Sequence, residues 1–468
     1  MPPLRPTNKA LPGLFLALAL GLRFAWVGAN ELAHDEPFTV FWSQRPWPEL
    51  WAMFRTENNP PLFFILLKAW SAVTPFTAAW LRVPSALFGA LAVWPLFLLA
   101  RRFGGQGAAI LTAILFLCSN YHHGFAHEVR AYSLFTLLTT TGLWLLVRAT
   151  QRPGQELKRM LHLSMLNVVL VYTHFFGWLV VGLQGLLVFT LPMMRPLRRS
   201  FLMGAAMTMV WFLPYGIIFL ERMQQSVGQG TWLTPPVPEE LYNMVWRWSN
   251  APLLTVVFLA LIVAALWKDR LRSAGLRLAL IWAFAPLLGM FAVSFAVPMF
   301  LDRYLVYAAP GFALLVGLSV AALFRITRLR AGVIAALGLG MAATFTPWKG
   351  SGLHPSAVVR VERDRCAGAC EVQVLPRWYW LTHLAAQDIR SLQRPTAQHM
   401  AYAAEHDRTV DASVPAPPTD TVPNALVIDA GSRFVDPERL WYARLRARYP
   451  KVDSVEADRK VWVYRFSR

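Results

Sequence analysis

The chain is 468 residues long, 56% hydrophobic and only 15% charged, with a formal charge of +19. An ordinary soluble domain holds about a quarter charged residues, so a purely soluble protein is excluded. A nucleic-acid binder is excluded too. Its groove would need a basic soluble face, whereas most Lys and Arg here sit in short loops between apolar stretches, where they orient a chain in a bilayer.

From the N-terminus, Arg5 and Lys9 precede an apolar run at 11–29. With so many similar runs to follow, it reads as a retained span and not a cleaved leader. Apolar length predicts about eleven membrane spans: 11–29, 81–100, 107–125, 131–147, 160–175, 177–193, 201–220, 251–267, 278–295, 304–324 and 331–346. The fifth and sixth are almost continuous, with Thr173 and His174 at the turn. Arg23, about two turns inside the first span, is expected to snorkel outward toward the candidate site or to pair with an acid.

Charge sets the orientation. With the N-terminus cytoplasmic, 18 of the 27 Lys and Arg up to Trp348 fall on the inner side, the excess that fixes topology. Ten of the 12 acidic residues in the same region fall outside, a bias that topology does not require. The first long outer loop, 30–80, carries His34-Asp35-Glu36, then Trp42, Trp47 and Trp51, then Asn58-Asn59-Pro60-Pro61. The apolar piece 62–73 behind it is too short to span and contains Lys68, so it is predicted to lie in the interface. The second long outer loop, 221–250, holds Trp232, Trp246 and Trp248.

Beyond Trp348 the apolar runs shrink and charge returns, with 18 Lys and Arg against 14 Asp and Glu. The reading is a membrane module, 1–347, followed by a small non-cytoplasmic α/β domain, 348–468. In that domain 425–429 and 461–466 are predicted strands, 437–448 a helix opened by proline, and 411–423 a Pro-rich linker. Cys366 and Cys370 are close enough to pair in an oxidising compartment, or to remain thiols.

Four outer positions gather ionisable groups at span ends: Asp35 and Glu36, Glu128 and Arg130, His174, and Asp302-Arg303-Tyr304. Charges at membrane depth are costly and tend to be functional. Carboxylates beside two arginines suit the transfer of a sugar from a lipid phosphate to a hydroxyl. That reaction needs a base at the acceptor oxygen and cations where charge builds on the departing phosphate. Asp35 fits the first need, with Glu36 or Glu128 shaping the acceptor side. Arg130 and Arg303 fit the second through their forked donors. Asp35, Glu128 and His174 also form a partial ligand set for a divalent cation, so metal assistance stays open. His122, His123 and His127 have no second cluster at ligand spacing.

These segments resemble the GT-C glycosyltransferases, in particular the bacterial relatives of protein O-mannosyltransferases and of the lipid A aminoarabinose transferase (glycosyltransferase family 39 type). The resemblance runs from Leu11 to Phe324. It rests on Asp35-Glu36, on Pro60-Pro61-Leu62-Phe63, on Leu81-Arg82-Val83-Pro84-Ser85-Ala86-Leu87-Phe88-Gly89, on Glu128-Val129-Arg130-Ala131-Tyr132, on Tyr172-Thr173-His174-Phe175-Phe176-Gly177 and on Asp302-Arg303-Tyr304 with Pro310. It implies a polytopic α-helical fold and a polyprenyl-phosphate sugar donor, with inversion at the anomeric carbon. The hydroxyl acceptor would lie on an envelope lipid, glycan or protein outside a bacterial inner membrane. It also implies Asp35 as general base and Glu128, Arg130 and Tyr132 as a functional segment, with Tyr304 beside Arg303. Where many relatives carry His before the Pro-Pro pair, this chain has Asn59, which hydrogen-bonds but exchanges no proton near neutral pH. The rival reading is a flippase for lipid-linked sugars. It would call for internal repeats and mid-membrane charges, and the conspicuous charges here lie at one end of the spans.

Overall fold

The computed structural model describes residues 10–57, 59–151, 154–228, 233–366, 370–396, 424–434 and 436–468. The expected linker 411–423, together with Arg5, Lys9 and Trp232, lies outside the described residues. The chain divides into two units. The first is Met1–Trp26, Trp51–Phe63 and Val83–Pro347; the second is Val27–Leu50, Phe64–Arg82 and Trp348–Arg468.

Helix is found in every one of the eleven expected stretches. In chain order the elements are α1 (Ala10–Phe24), α2 (Glu36–Ser43), α3 (Trp47–Thr56), α4 (Leu62–Ser71), α5 (Ala78–Leu91), α6 (Val93–Leu117), α7 (Asn120–Ala126), α8 (Tyr132–Ala149), α9 (Glu156–Thr173) and α10 (Gly177–Thr190). There follow α11 (Arg198–Gly228), α12 (Glu239–Ser249), α13 (Pro252–Asp269), α14 (Ala274–Val293), α15 (Ala309–Leu323) and α16 (Thr327–Ala343). The loop expected between the second and third spans is absorbed into α6. Helix continues past Arg101 and Arg102 and turns at Gly105, whose φ of 75° a residue with a Cβ would adopt only under strain. The piece expected in the interface is α4, whose ten residues cover about 15 Å, half a hydrocarbon core.

Among the described residues four segments are long and apolar enough to cross a membrane: Ala78–Leu117, Pro192–Gln224, Pro252–Asp269 and Ala274–Val293. Their outer faces carry Val210, Trp211 and Ile217 on α11 and Leu253, Val263 and Trp267 on α13, all exposed. A soluble monomer rarely shows apolar bands of this kind; a lipid-facing helix requires them. In the first unit α15 is buried along its length and packs on α6, α13 and α14. One buried polar pair inside the bundle satisfies itself, as hydrocarbon favours. The amides of Asn167 and Gln184 bond reciprocally at 2.7 and 3.0 Å.

The C-terminal part of the second unit is built from α17 (Pro355–Arg365), α18 (Trp380–Gln387), α19 (Leu440–Arg448) and strands β1 (Cys370–Leu375), β2 (Asn424–Asp429), β3 (Lys451–Asp458) and β4 (Val461–Ser467). The sheet order is β1-β2-β4-β3, with β1 parallel to β2 and the other pairs antiparallel. Its core joins Leu375, Ala425, Val427, Trp441, Leu445, Tyr449 and Phe466. The proline-opened helix expected at 437 begins three residues later. Asp436 accepts the Trp441 N–H at 3.2 Å, and Arg439 before it holds a left-handed φ of 55°. Cys366 and Cys370 form a disulfide.

Candidate active site

The first unit gathers a cluster around the turn between α9 and α10. A Cβ on Gly177 would stand 2.8 Å from the Leu170 carbonyl oxygen, so only glycine lets α10 fold back this closely on α9. His174 lies in that turn, outside both helices, with extended backbone. The Phe176 N–H donates to its Nδ1 at 3.1 Å, which places the ring proton of neutral His174 on Nε2. The ring stacks on Phe135 with centroids 4.7 Å apart and faces Tyr132 and Tyr304 at 6.0 and 6.2 Å.

Two guanidinium groups act on this ring. Loss of solvent, followed by the fields of Arg130 and Arg303, lowers the His174 pKa from 6.5 to about 3. Arg130 is held in the turn between α7 and α8. Its N–H donates to the Glu128 carbonyl at 2.8 Å, and its own carbonyl accepts from Ser85 Oγ at 3.2 Å. Its Nη2 donates to Asn59 Oδ1 at 3.2 Å, and its guanidinium lies 5.7 Å from the Tyr132 ring centre. Tyr215, mid-way along α11, donates to the carbonyls of Phe54 and Asn59, each at 3.4 Å. Arg303 sits in the 3-10 turn before α15, 5.9 Å from the Tyr304 ring centre. Asp302 shapes that turn: its Oδ1 accepts the Arg303 N–H at 2.7 Å, its carboxylate pairs with Arg247 of α12, and its carbonyl accepts from Tyr121.

Of the residues expected from sequence, Asn59, Arg130, Tyr132, His174, Arg303 and Tyr304 therefore come together. Glu128, partly exposed, shares the turn of Arg130, and Asp302 is the support beneath Arg303. Asp35 and Glu36 belong to the second unit. Asp35 stands at the N-cap of α2, and its carbonyl accepts both the N–H and the hydroxyl of Thr39. His34 before it adopts a left-handed φ of 53°. Glu36 is 5% exposed and grips Arg82 with both oxygens, Nε to Oε1 at 2.8 Å and Nη2 to Oε2 at 2.7 Å.

Arg23 differs from its expectation. It is fully buried and, among the described residues, pairs with no acid: it donates to the Phe116 and Leu117 carbonyls and to His123 Nδ1 at 3.0–3.1 Å, with His127 Nε2 on its own carbonyl. Loose carbonyls at the end of α6 are a natural partner for a guanidinium. Sequence reasoning assigned no role to Ser85, Tyr121, Tyr215, Arg247 or Arg82. Only Ser85 and Arg82 carried a signal, as members of the 81–89 segment. Among the described residues no group of three His, Cys, Asp or Glu side chains is placed to hold a metal ion, and Asp35, Glu128 and His174 form no such group.

No family model and no curated protein matches the chain. Solved structures do. ArnT from Cupriavidus metallidurans bound to undecaprenyl phosphate is 14% identical over 98% of both chains, with a TM-score of 0.60. The oligosaccharyltransferase AglB from Archaeoglobus fulgidus, in complex with an inhibitory peptide and a dolichol-phosphate, is 11% identical over 90% of this chain and 70% of its own, with a TM-score of 0.55. The arabinofuranosyltransferase AftD from Mycobacteria is 12% identical over 99% of this chain and 40% of its own, with a TM-score of 0.53. At these identities the likeness speaks for the fold, and the fold is GT-C: a polytopic membrane protein of mainly apolar helices with a small C-terminal sheet.

Proposed function

We propose that this chain is a glycosyltransferase that moves a monosaccharide from a polyprenyl-phosphate donor to a hydroxyl acceptor with inversion. The observation that carries the reading is that Arg130 and Arg303, far apart in sequence, flank one aromatic cluster: each lies against a tyrosine, Tyr132 and Tyr304, that faces the His174 ring. Paired guanidiniums at a membrane boundary suit a lipid phosphate. ArnT and AglB, which share the fold, were solved with such lipids.

In the reaction, the acceptor oxygen attacks the anomeric carbon from the face opposite the phosphate, and the bond from that carbon to the phosphate oxygen breaks. Asp35 takes the proton of the acceptor hydroxyl. The electron pair leaves on the polyprenyl phosphate, and Arg130 and Arg303 stabilise the added charge. Asn59 orients Arg130. Neutral His174 keeps an Nε2 proton for donation without adding a third cation. Glu128 is assigned to the acceptor side, and Glu36, committed to Arg82, to positioning. Transfer measured with and without EDTA tests whether a divalent cation assists.

The compartment we propose is the outer face of a bacterial inner membrane, with the N-terminus inside. The basic inner loops support it, and so does the Cys366–Cys370 bridge in the C-terminal part. The test is a mass-spectrometric comparison of envelope lipids, glycans and proteins from cells with and without the gene. A sugar that disappears with the gene and returns with the wild-type chain, but not with Asp35→Asn, supports the reading. Full restoration by Asp35→Asn refutes the base assignment.

A further inference from the structure

Arg82 is 2% exposed, and its guanidinium serves one segment of chain. Besides gripping Glu36, it donates through Nη1 to the Asn30 carbonyl at 2.7 Å and the Val27 carbonyl at 3.3 Å, and through Nη2 to the Glu31 carbonyl at 2.9 Å. The fork thus closes a loop over residues 27–36. The same Glu31 reaches the other way. Its carboxylate accepts the Ser356 N–H at 2.8 Å and the Ser356 hydroxyl at 2.7 Å, at the open N-terminus of α17. A carboxylate there satisfies loose N–H groups and complements the helix dipole. All these residues lie in the second unit.

We propose that Arg82, Glu31 and Ser356 are positioning residues for Asp35, so that the C-terminal part of the chain sets the geometry of the acid loop. This rests on the reading of Asp35 as the base. Asp35 immediately precedes the residue that Arg82 grips and follows His34, whose left-handed backbone is costly unless its neighbours fix it. Three successive restraints act along the loop: Ser356 on the Glu31 side chain, Arg82 on the Glu31 backbone, and Arg82 on Glu36. Removing the first leaves Asp35 chemically intact but less well placed, and a displacement of about 1 Å at a reacting group costs on the order of 100-fold in rate.

The experiment uses the full chain in lipid nanodiscs for hydrogen–deuterium exchange, and cells lacking the gene for recovery of the envelope sugar. Glu31→Ala and Arg82→Ala are expected to speed exchange across 27–36 by about tenfold or more while the sheet at 424–467 keeps its protection, with sugar recovery falling on the order of 100-fold. Ser356→Ala is the mild variant, expected to lose about tenfold, and Ser356→Thr, which keeps the hydroxyl, to restore most of it. Unchanged loop exchange in Glu31→Ala overturns the proposal, as does equal activity of Ser356→Ala and Ser356→Thr. Asp35→Asn run alongside separates the two ideas: if it restores full sugar transfer, the reading of Asp35 has failed. If it abolishes transfer while Glu31→Ala leaves loop and transfer untouched, only the positioning proposal has failed.

Discussion

Arg82 and Arg130 are the same residue put to different uses. Arg82 is almost without exposed surface and divides its donors among one carboxylate and three carbonyls of a single loop. Arg130 is half-buried, bonded to the neutral amide of Asn59, and set against Tyr132 and His174. Partner chemistry separates the two roles. A carboxylate matched to the fork by geometry ties Arg82 to its loop, whereas the Asn59 amide and the Tyr132 ring orient Arg130 from two different segments. The first arrangement builds structure. The second sets a guanidinium against the Tyr132 ring, which itself faces His174.

The comparison is tested first where the effect should be largest. Asp35→Asn is expected to lower transfer by roughly 10²–10⁴-fold, the usual worth of a positioned base, with folding intact by thermal melt. Arg130→Ala and Arg303→Ala should each cost about 10²–10³-fold in kcat/KM. Lysine at either position should recover only part, because it offers no fork. Glu36→Gln probes the structural partner: it leaves Arg82 buried without its counter-charge, and denaturant titration should register a loss of about 3–5 kcal/mol. If Glu36→Gln instead kept full stability, the division of labour between the two arginines would be wrong.

His174 gives a smaller effect with a defined sign. Its native pKa of about 3 lies below the ordinary 6.5, so below pH 6.5 the unfolded chain binds a proton that the native state refuses. The wild type should therefore lose stability relative to His174→Gln as pH falls from about 6.5 toward 3, and show no such difference above pH 7. Melting curves across that range check it. Smallest of all is Arg247→Ala. The ion pair with Asp302 is 50% and 35% exposed at its two side chains, and such pairs contribute at most about 1 kcal/mol. Tyr121 and the Arg303 N–H still hold the Asp302 turn.

Apolar length made the helices of the first unit legible, because a bilayer imposes a minimum span that few other constraints blur. It could not reveal that α6 runs through Arg101 and Arg102 to a bend at Gly105, since a kink and a loop share the same glycine and charges. The cluster of Arg130, His174 and Arg303 was legible because each member falls at the end of an expected span, on the same expected side. Arg82 was visible as part of a segment, but its partner Glu36 lies 46 positions away, and nothing local marks that pairing. Tyr215 was hidden in the middle of an apolar helix. In the C-terminal part, β2 and β4 are rich in Val, Ile, Trp and Phe and stood out. The edge strand β3, Lys451–Asp458, holds four charged residues and only Val452, Val455 and Ala457 as apolar ones, so it carries little signal of its own.

The docking of α17 on Glu31 bears on how such a chain can be recombined. Grafting only residues 348–468 from a relative would set a foreign helix end against a native carboxylate and disturb the contacts of Asn30 with Ser351 and of Arg45 with the Leu392 and Gln393 carbonyls. Three stretches would have to travel as one inheritance: Val27–Leu50, Phe64–Arg82 and the tail from Trp348 onward. A chimera with a single crossover should express poorly, whereas one exchanging all three should fold.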